Sequence, residues 1–241
     1  MKVYAITDIG RARALNEDAY YLPREGERFC AVADGMGGHN AGEVASAMAV
    51  QAFSEHMRDV ETITGQALRA AVERANGEFY RTALENEGMS GMGTTFSALA
   101  QQDGDVLLAH VGDSRVYLLR HGAIMQLTTD HTLVEEMVRK GMLTPREARF
   151  HPRRNIITRA LGTDYRVEVD VIQLRAHPGD VFFLCSDGLT NYVAEQQILR
   201  AARGDGDWDE KLRHLVSLAL ENGGADNITA LFAVIGEEAA R

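Results

Sequence analysis

The stretch Cys30–Val50, CAVADGMGGHNAGEVASAMAV, joins an apolar run to an alanine-rich segment through an aspartate and a cluster of glycines. The apolar run before Asp34 has the composition of a buried strand, while Val44, Met48 and Ala52 recur at the four-residue spacing of a helix. A turn needs only Asp-Gly, yet several more residues separate Asp34 from the helical pattern. Asp34 therefore stands at the end of a buried strand, among residues that leave its surroundings open.

Three more aspartates lie beside strongly apolar strands. Asp113 follows VLLAHVG, Asp187 ends VFFLCSD, and Asp226 precedes NITALFAVI. A single Asp-Gly or Asp-Asn pair most often forms a turn. Four carboxylates that meet along one sheet edge would repel one another, and divalent ions such as magnesium or manganese would compensate. If the Gly35 carbonyl also faced an ion, a side chain there would crowd the site.

The remaining periodicities predict a mixture of helices and strands. Apolar stripes predict helices over 41–57, 64–86, 194–203 and 209–221, and a short one at TLVEEMVRKG. The strands TTFSALAQ, VLLAHVG and RVYLLR follow one another without intervening helices, which indicates antiparallel pairing. The sequence therefore predicts an α+β fold in which two sheets pack together with helices outside.

Composition excludes several classes of protein. The chain has 241 residues, of which 45% are hydrophobic and 25% charged, as in ordinary globular proteins. A net charge of −10 argues against a general nucleic-acid binder, and no apolar run predicts a membrane span. Cys30 and Cys185 lie in apolar runs and are predicted to be buried free thiols. Together with an N-terminus unlike a signal peptide, these features lead us to expect a cytoplasmic protein.

Six motifs occur in the order typical of one family: RARALNED, ADGMGGHNAGEVAS, MGTT, VGDSR, LCSDGL and GADNIT. In this the chain resembles the metal-dependent protein phosphatases (PPM, type 2C), and their bacterial serine/threonine branch in particular, from Thr7 to about Val234. The resemblance implies an α-β-β-α sandwich of two antiparallel β-sheets flanked by helix pairs. It also implies a binuclear metal centre at one end of the sandwich.

The resemblance assigns ligands to that centre. Asp34 would bridge both ions and the Gly35 carbonyl would bind one of them, while Asp187 and Asp226 would hold the other. Asp113 matches the ligand of a third, weaker site. Two ions of Mn²⁺ or Mg²⁺ per chain are therefore expected, and a third is possible in principle at Asp113.

The resemblance also implies supporting residues. Glu17 would contact an ion through water, with Asp18 beside it. Arg13 would bind the substrate phosphate. Many relatives carry a His two residues after the bridging aspartate, where this chain has Met36. For His39 two roles remain, that of a general acid and that of a surface histidine.

The resemblance makes residues 1–241 a single phosphatase domain with a flap segment at about 131–164. Arginines make this segment basic, which fits either docking of phosphorylated protein segments or a solvated surface. The five are Arg146, Arg149, Arg153, Arg154 and Arg159. His131 and Glu135 are one helical turn apart, but that helix has no second His and hence no zinc-protease motif.

We therefore expect a protein serine/threonine phosphatase that hydrolyses phosphoserine and phosphothreonine. Its expected partners are phosphorylated proteins, namely a serine/threonine kinase and that kinase's substrates, without nucleic acid or membrane, and the chain is expected to be a monomer. The alternative from another class is a non-catalytic phosphoprotein-binding module on the same fold. The presence of every metal-binding aspartate disfavours that alternative.

Overall fold

The computed structural model describes residues 1–37, 41–86, 89 and 91–236. The strands are β1 (Lys2–Asp8), β2 (Asp18–Tyr21), β3 (Phe29–Met36), β4 (Gly93–Thr94), β5 (Phe96–Gln102), β6 (Asp105–Val111), β7 (Arg115–Arg120), β8 (Ala123–Gln126), β9 (Asp170–Arg175), β10 (Val181–Cys185) and β11 (Ile228–Val234). The helices are α1 (Ala41–Arg58), α2 (Gly65–Glu85), α3 (Leu133–Arg139), α4 (Pro145–Arg149), α5 (Asp187–Thr190), α6 (Glu195–Arg203) and α7 (Trp208–Glu221).

The strands form two sheets in which neighbouring strands pair antiparallel. The first sheet has the order β1-β11-β10-β7-β8. The second has the order β2-β3-β5-β6-β9, with the short β4 paired to β3. Helices α1 and α2 pack on the second sheet, and α7 packs on β1 and β11 of the first. The predicted α+β sandwich of two antiparallel sheets with flanking helices is confirmed.

Strand periodicity divides the core into layers. On β3, Phe29 and Ala31 belong to the cluster under helices α1 and α2, whereas Cys30 and Val32 belong to the cluster between the sheets. The opposite sheet fills the same inter-sheet layer with side chains such as Phe182. Because successive strand residues point to opposite faces, each sheet covers two apolar layers, which explains its nearly continuous apolar strands.

Three short elements were not predicted. Helix α4 forms within the basic flap segment, because Thr144 and Glu147 cap each other's backbone and Pro145 starts the first turn. Helix α5 is a single turn after β10, and β8 pairs with β7 alone. Such elements are too short to show periodicity and depend on caps or on one neighbouring strand.

None of the helices in the described part of the chain combines the length and apolar character that crossing a bilayer requires.

A buried asparagine ties the end of the flap segment to helix α2. The Asn76 side chain donates to the carbonyls of Asp164 and Tyr165, both at 3.1 Å, and accepts from the Gly162 amide at 2.8 Å. Gly162 has a φ of +82°, and a Cβ added there would overlap the Phe79 ring. This chain segment is therefore fixed by backbone hydrogen bonds to one side chain.

Replacing Asn76 by leucine is expected to destabilise the fold by about 2–4 kcal/mol, because it leaves three backbone groups without their partner. Urea unfolding would measure the change. Gly77→Ala is the matched control at the next helical position, where an added Cβ has open space. It should stabilise by about 0.5–1 kcal/mol. A loss below about 1 kcal/mol for Asn76→Leu would contradict this role.

Candidate active site

Sheet topology brings the predicted aspartates to one end of the sandwich. Asp187 follows β10, while Asp226 and Asp113 lie just before β11 and β7. Both of those strands pair antiparallel with β10, and Cys185 at its end lies opposite the first residues of each. Three aspartates that are distant in sequence therefore share one edge of the first sheet.

Asp34 reaches the same end from the second sheet, where it lies directly opposite Asp18 in the β2–β3 register. It continues the inter-sheet face of Cys30 and Val32, so its carboxylate lies where the two sheets meet. Burial raises the pKa of Asp34 well above its usual range, and nearby negative charges raise it further. Those charges belong to Asp18, Asp187, Asp113 and Asp226.

Asp18 has an incomplete set of hydrogen bonds. Its Oδ2 accepts from the Ser186 hydroxyl at 2.8 Å, but its buried Oδ1 has no hydrogen-bond partner among the described residues. Burial raises the pKa of Asp18 to about 7, although hydroxyl groups of Thr229 and Ser186 act against this rise. A buried carboxylate oxygen without a partner costs about 1–3 kcal/mol, unless a proton or a cation satisfies it.

The carboxyl groups of Asp113 and Asp187 lie in the same acidic environment. Burial raises the pKa of Asp113 to about 8, and the charges of Asp187 and Asp130 add to the rise. Burial also raises the pKa of Asp187, with the charge of Asp226 as the next cause, while the Asn191 amide donates to its Oδ2 at 3.0 Å. Asp113 is buried and Asp187 is half-buried, and because both lie among like charges they favour bound protons or cations.

Arg13 binds the more open carboxylates of the cluster. Its Nε lies 2.8 Å from Asp226 Oδ1 and its Nη2 donates to Oδ2 at 3.0 Å. Its Nη1 donates to Glu17 Oε2 at 3.1 Å. These bonds raise the pKa of Arg13, whose side chain is 45% exposed. The predicted phosphate-binding arginine therefore lies at the acidic cluster and neutralises part of it.

Asn227 is a residue whose importance was missed by sequence analysis, which treated it as part of a turn. It is buried, and its side-chain amide donates to the carbonyls of Ile9 and Leu15, both at 2.9 Å. Its Oδ1 accepts from the Glu17 amide at 2.8 Å. Asn227 thus fixes the loop that carries Arg13 and Glu17, and its place beside Asp226 in GADNIT was the available signal.

Gly35 also has a steric role that sequence analysis did not predict. A Cβ added there would overlap the carbonyl oxygen of Gly42 in α1 and would lie 2.6 Å from the carbonyl oxygen of Glu17. The Gly35 amide also donates to that Glu17 carbonyl at 2.9 Å. Close approach of two backbone segments therefore excludes a side chain at this position. His39 lies outside the described residues.

Within the described ranges, no group of three or more His, Cys, Asp and Glu side chains is arranged so that it could hold a metal ion. The aspartates nevertheless lie at one end of the sandwich, since Asp34 is opposite Asp18 and the strand before Asp187 pairs with those after Asp113 and Asp226. Arg13 occupies oxygens of Asp226 and Glu17 that a complete ligand set would need. The donors fit a hard divalent ion by their chemistry and by the unpartnered oxygen of Asp18.

Comparison with known proteins gives consistent matches. The protein phosphatase 2C family profile matches residues 10–232. The serine/threonine phosphatase stp of Listeria monocytogenes is 40% identical over 232 residues, which are 93% of this chain and 92% of that protein. Among solved structures, the Mycobacterium tuberculosis serine/threonine phosphatase PstP/Ppp superposes with a TM-score of 0.91 at 39% identity, over 98% of this chain and 99% of the other.

A second solved structure, the PstP catalytic domain in complex with two manganese ions, has a TM-score of 0.88 and 38% identity. It covers 98% of each chain. The family profile and these relatives extend over nearly the whole chain, and the aspartates of the family-like motifs meet at one end of the sandwich. This chain therefore belongs to the protein phosphatase 2C family, in its bacterial serine/threonine phosphatase branch.

Proposed function

We propose that this protein hydrolyses phosphoserine and phosphothreonine in other proteins by means of a water activated at a pair of divalent ions. The observation that carries the proposal is the convergence of aspartates from both sheets, whose burial and mutual repulsion raise their pKa values. Such a cluster favours cations, and the relatives of this chain are named serine/threonine phosphatases.

Asp34, the Gly35 carbonyl, Asp187 and Asp226 are the residues that we propose to hold the two ions. Their hard oxygen donors suit Mn²⁺ or Mg²⁺, and the related PstP catalytic domain was solved with two manganese ions. We assign Asp113 to a third ion, since the Asp187 charge acts on it directly. When bound, the ions would supply Lewis acidity that activates water and offsets charge on the phosphoryl group.

Arg13 is the proposed phosphate-binding residue. Its planar guanidinium can bind two phosphate oxygens at once, which a lysine cannot do. In the structure its donors are directed to Asp226 and Glu17, so phosphate binding must exchange carboxylate oxygens for phosphate oxygens. The exchange is favourable where cations hold Asp226, because the carboxylate then no longer depends on Arg13 for its charge balance.

Asp18 and Glu17 complete the proposed site. Asp18, held by the Ser186 hydroxyl, would accept hydrogen bonds from waters through its unpartnered Oδ1. Glu17 would contact an ion through water, and its position is fixed by Asn227. His39 remains our sequence-based proposal for the general acid.

The proposed partners are phosphorylated proteins, including a serine/threonine kinase and that kinase's substrates. The names of the relatives do not favour a non-catalytic binding module. Cys30 and Cys185 are buried free thiols, which agrees with the proposed reducing cytoplasm.

Removal of divalent ions is expected to abolish turnover of a phosphothreonine peptide. The carboxylates would then lack the Lewis acid that activates water. Phosphate release after EDTA treatment, followed by titration with Mn²⁺ and Mg²⁺, measures the effect. Full activity in metal-free buffer would refute the proposal, and peptide binding without turnover at every metal concentration would support the binding module.

Substitution of Asp34 by asparagine should lower kcat by roughly 10²- to 10³-fold, a loss typical of removing one preorganised electrostatic group. In EDTA the variant should be at least as stable as the wild type at pH 8, because asparagine is neutral, whereas the Asp34 carboxyl opposite Asp18 must either carry a charge or bind a proton. Asp59→Asn, at an exposed position, is the control. Parallel loss of stability and activity in Asp34→Asn would instead show a structural aspartate.

Stability in EDTA is expected to fall as pH rises from about 6.5 to about 8. The folded-state pKa values of Asp18, about 7, and Asp113, about 8, lie above the ordinary value of 3.8. Folded protein therefore holds protons that the unfolded chain has released, and their stabilising effect is lost as pH rises through these pKa values. The slope approaches about 1.4 kcal/mol per pH unit for each such group.

Urea unfolding at a series of pH values would measure this slope. The window lies above pH 6.5 because burial lowers the folded-state pKa values of His110 and His131, so their opposing contribution fades as the unfolded chain loses its histidine protons above that pH. Asp18→Asn should flatten the slope and Asp59→Asn should leave it unchanged. Stability that is constant or increases over this range in EDTA would contradict the assignment of raised pKa values.

A further inference from the structure

His131 lies at the junction of the flap segment with the loop that carries Asp113. It is buried, and its backbone amide donates to the Gly112 carbonyl at 2.8 Å. In return, the Gly112 amide donates to His131 Nδ1 at 3.0 Å. The His131 carbonyl accepts from the Thr158 amide at 2.8 Å, which closes the root of the flap segment. His131 thus joins the start of the flap segment, and Thr158 within it, to the residue preceding Asp113.

The bond from Gly112 determines the protonation of the ring. Because Nδ1 accepts a backbone N–H, the neutral imidazole carries its proton on Nε2. That nitrogen lies 3.2 Å from Asp170 Oδ2, to which it can donate, and Arg159 Nη1 lies 3.1 Å from the same nitrogen. Arg159 donates to the other oxygen of Asp170 at 2.8 Å. The ring is consequently oriented from both sides, by a backbone amide and by a carboxylate that is itself held by an arginine.

Gly112 has little freedom to adopt another position. Its φ is +110°, and a Cβ added there would lie 2.6 Å from the Thr95 Cβ. On the far side of Asp113, Arg115 forms a forked ion pair with Asp130, with distances of 2.6–3.0 Å. Residues 112–115 are thus held against residues 130–131 on both sides of Asp113.

We propose that His131 is a positioning residue that fixes the Asp113 loop against the root of the flap segment and thereby sets the affinity of the third ion. The part of this inference that treats Asp113 as a metal ligand rests on the proposed function. The competing explanation is that His131 only fills space beside the His110 ring, whose centroid is 4.9 Å away. The two explanations differ in whether the Nδ1 acceptor, or only the ring volume, is required.

Two substitutions separate these explanations. Asn in place of His131 retains an acceptor near the position of Nδ1, whereas His131→Leu retains volume but leaves the Gly112 amide without an acceptor. In His131→Leu, hydrogen exchange of the Gly112 amide should accelerate at least tenfold. In His131→Asn it should stay within about threefold of the wild type. Amides of the β1–β11 pair, such as that of Ala233, should be unchanged in both variants and report on global stability.

Metal binding supplies the second measurement. Calorimetric titration with Mn²⁺ should show a third ion that Asp113→Asn no longer binds. His131→Leu should lower the affinity for that ion at least tenfold and leave the affinities for the other ions unchanged. His131→Asn should largely restore that affinity. Equal behaviour of the Asn and Leu variants, or an unchanged Mn²⁺ titration in His131→Leu, would overturn the proposal.

A third variant keeps the test decisive where substitutions at the buried His131 prevent folding. Asp170, whose side chain is 40% exposed, can be replaced by alanine with little risk to the core. Loss of its carboxylate should accelerate exchange of the Gly112 amide at least threefold, and no change would overturn the proposal. If Asp113→Asn removes no ion, the third-site assignment fails, whereas Gly112 exchange still tests the positioning by His131.

Discussion

Repulsion between buried carboxylates is the constraint on which the rest of this structure depends. Asp18 and Asp34 face each other across neighbouring strands, and Asp113 and Asp187 reach the same end of the core from the other sheet. Burial makes each charge unfavourable, and each negative charge repels its neighbours. Protons, the guanidinium of Arg13 and the divalent ions of the proposed function are three ways to offset that charge, and the chemistry of the site follows from exchanging them.

Polar groups from distant segments keep this cluster in place. Asn227 binds the loop of Arg13 and Glu17 through three hydrogen bonds, and Ser186 holds one oxygen of Asp18. Gly35 allows helix α1 to approach the strand that carries Asp34. Buried polar groups of this kind must be satisfied, and their partners can be supplied only by one chain arrangement. The acidic end of the sandwich is therefore rigidly supported although its charges oppose one another.

Much of the fold was predictable from local patterns, because apolar alternation and helical stripes are properties of short segments. Both long helices α1 and α2 and most central strands lie where these patterns place them. The cap of α4, the single turn of α5 and the edge strand β8 were missed, since each depends on a capping pair or a neighbouring strand. Motif order indicated the family, but sequence analysis overlooked Asn227 and the close backbone approach that excludes a side chain at Gly35.

The sequence by itself determined the long helices, most central strands, the apolar layers and the presence of aspartates at strand margins, because these depend on residue type and spacing along the chain. Only the tertiary structure decided which carboxylates meet, which oxygen of Asp18 lacks a hydrogen-bond partner in the described part of the chain and which acids Arg13 binds. Those facts depend on strand order and register, which bring residues more than 200 positions apart, such as Arg13 and Asp226, into contact. The pKa of a carboxyl is set by that neighbourhood and cannot be read from the residue itself.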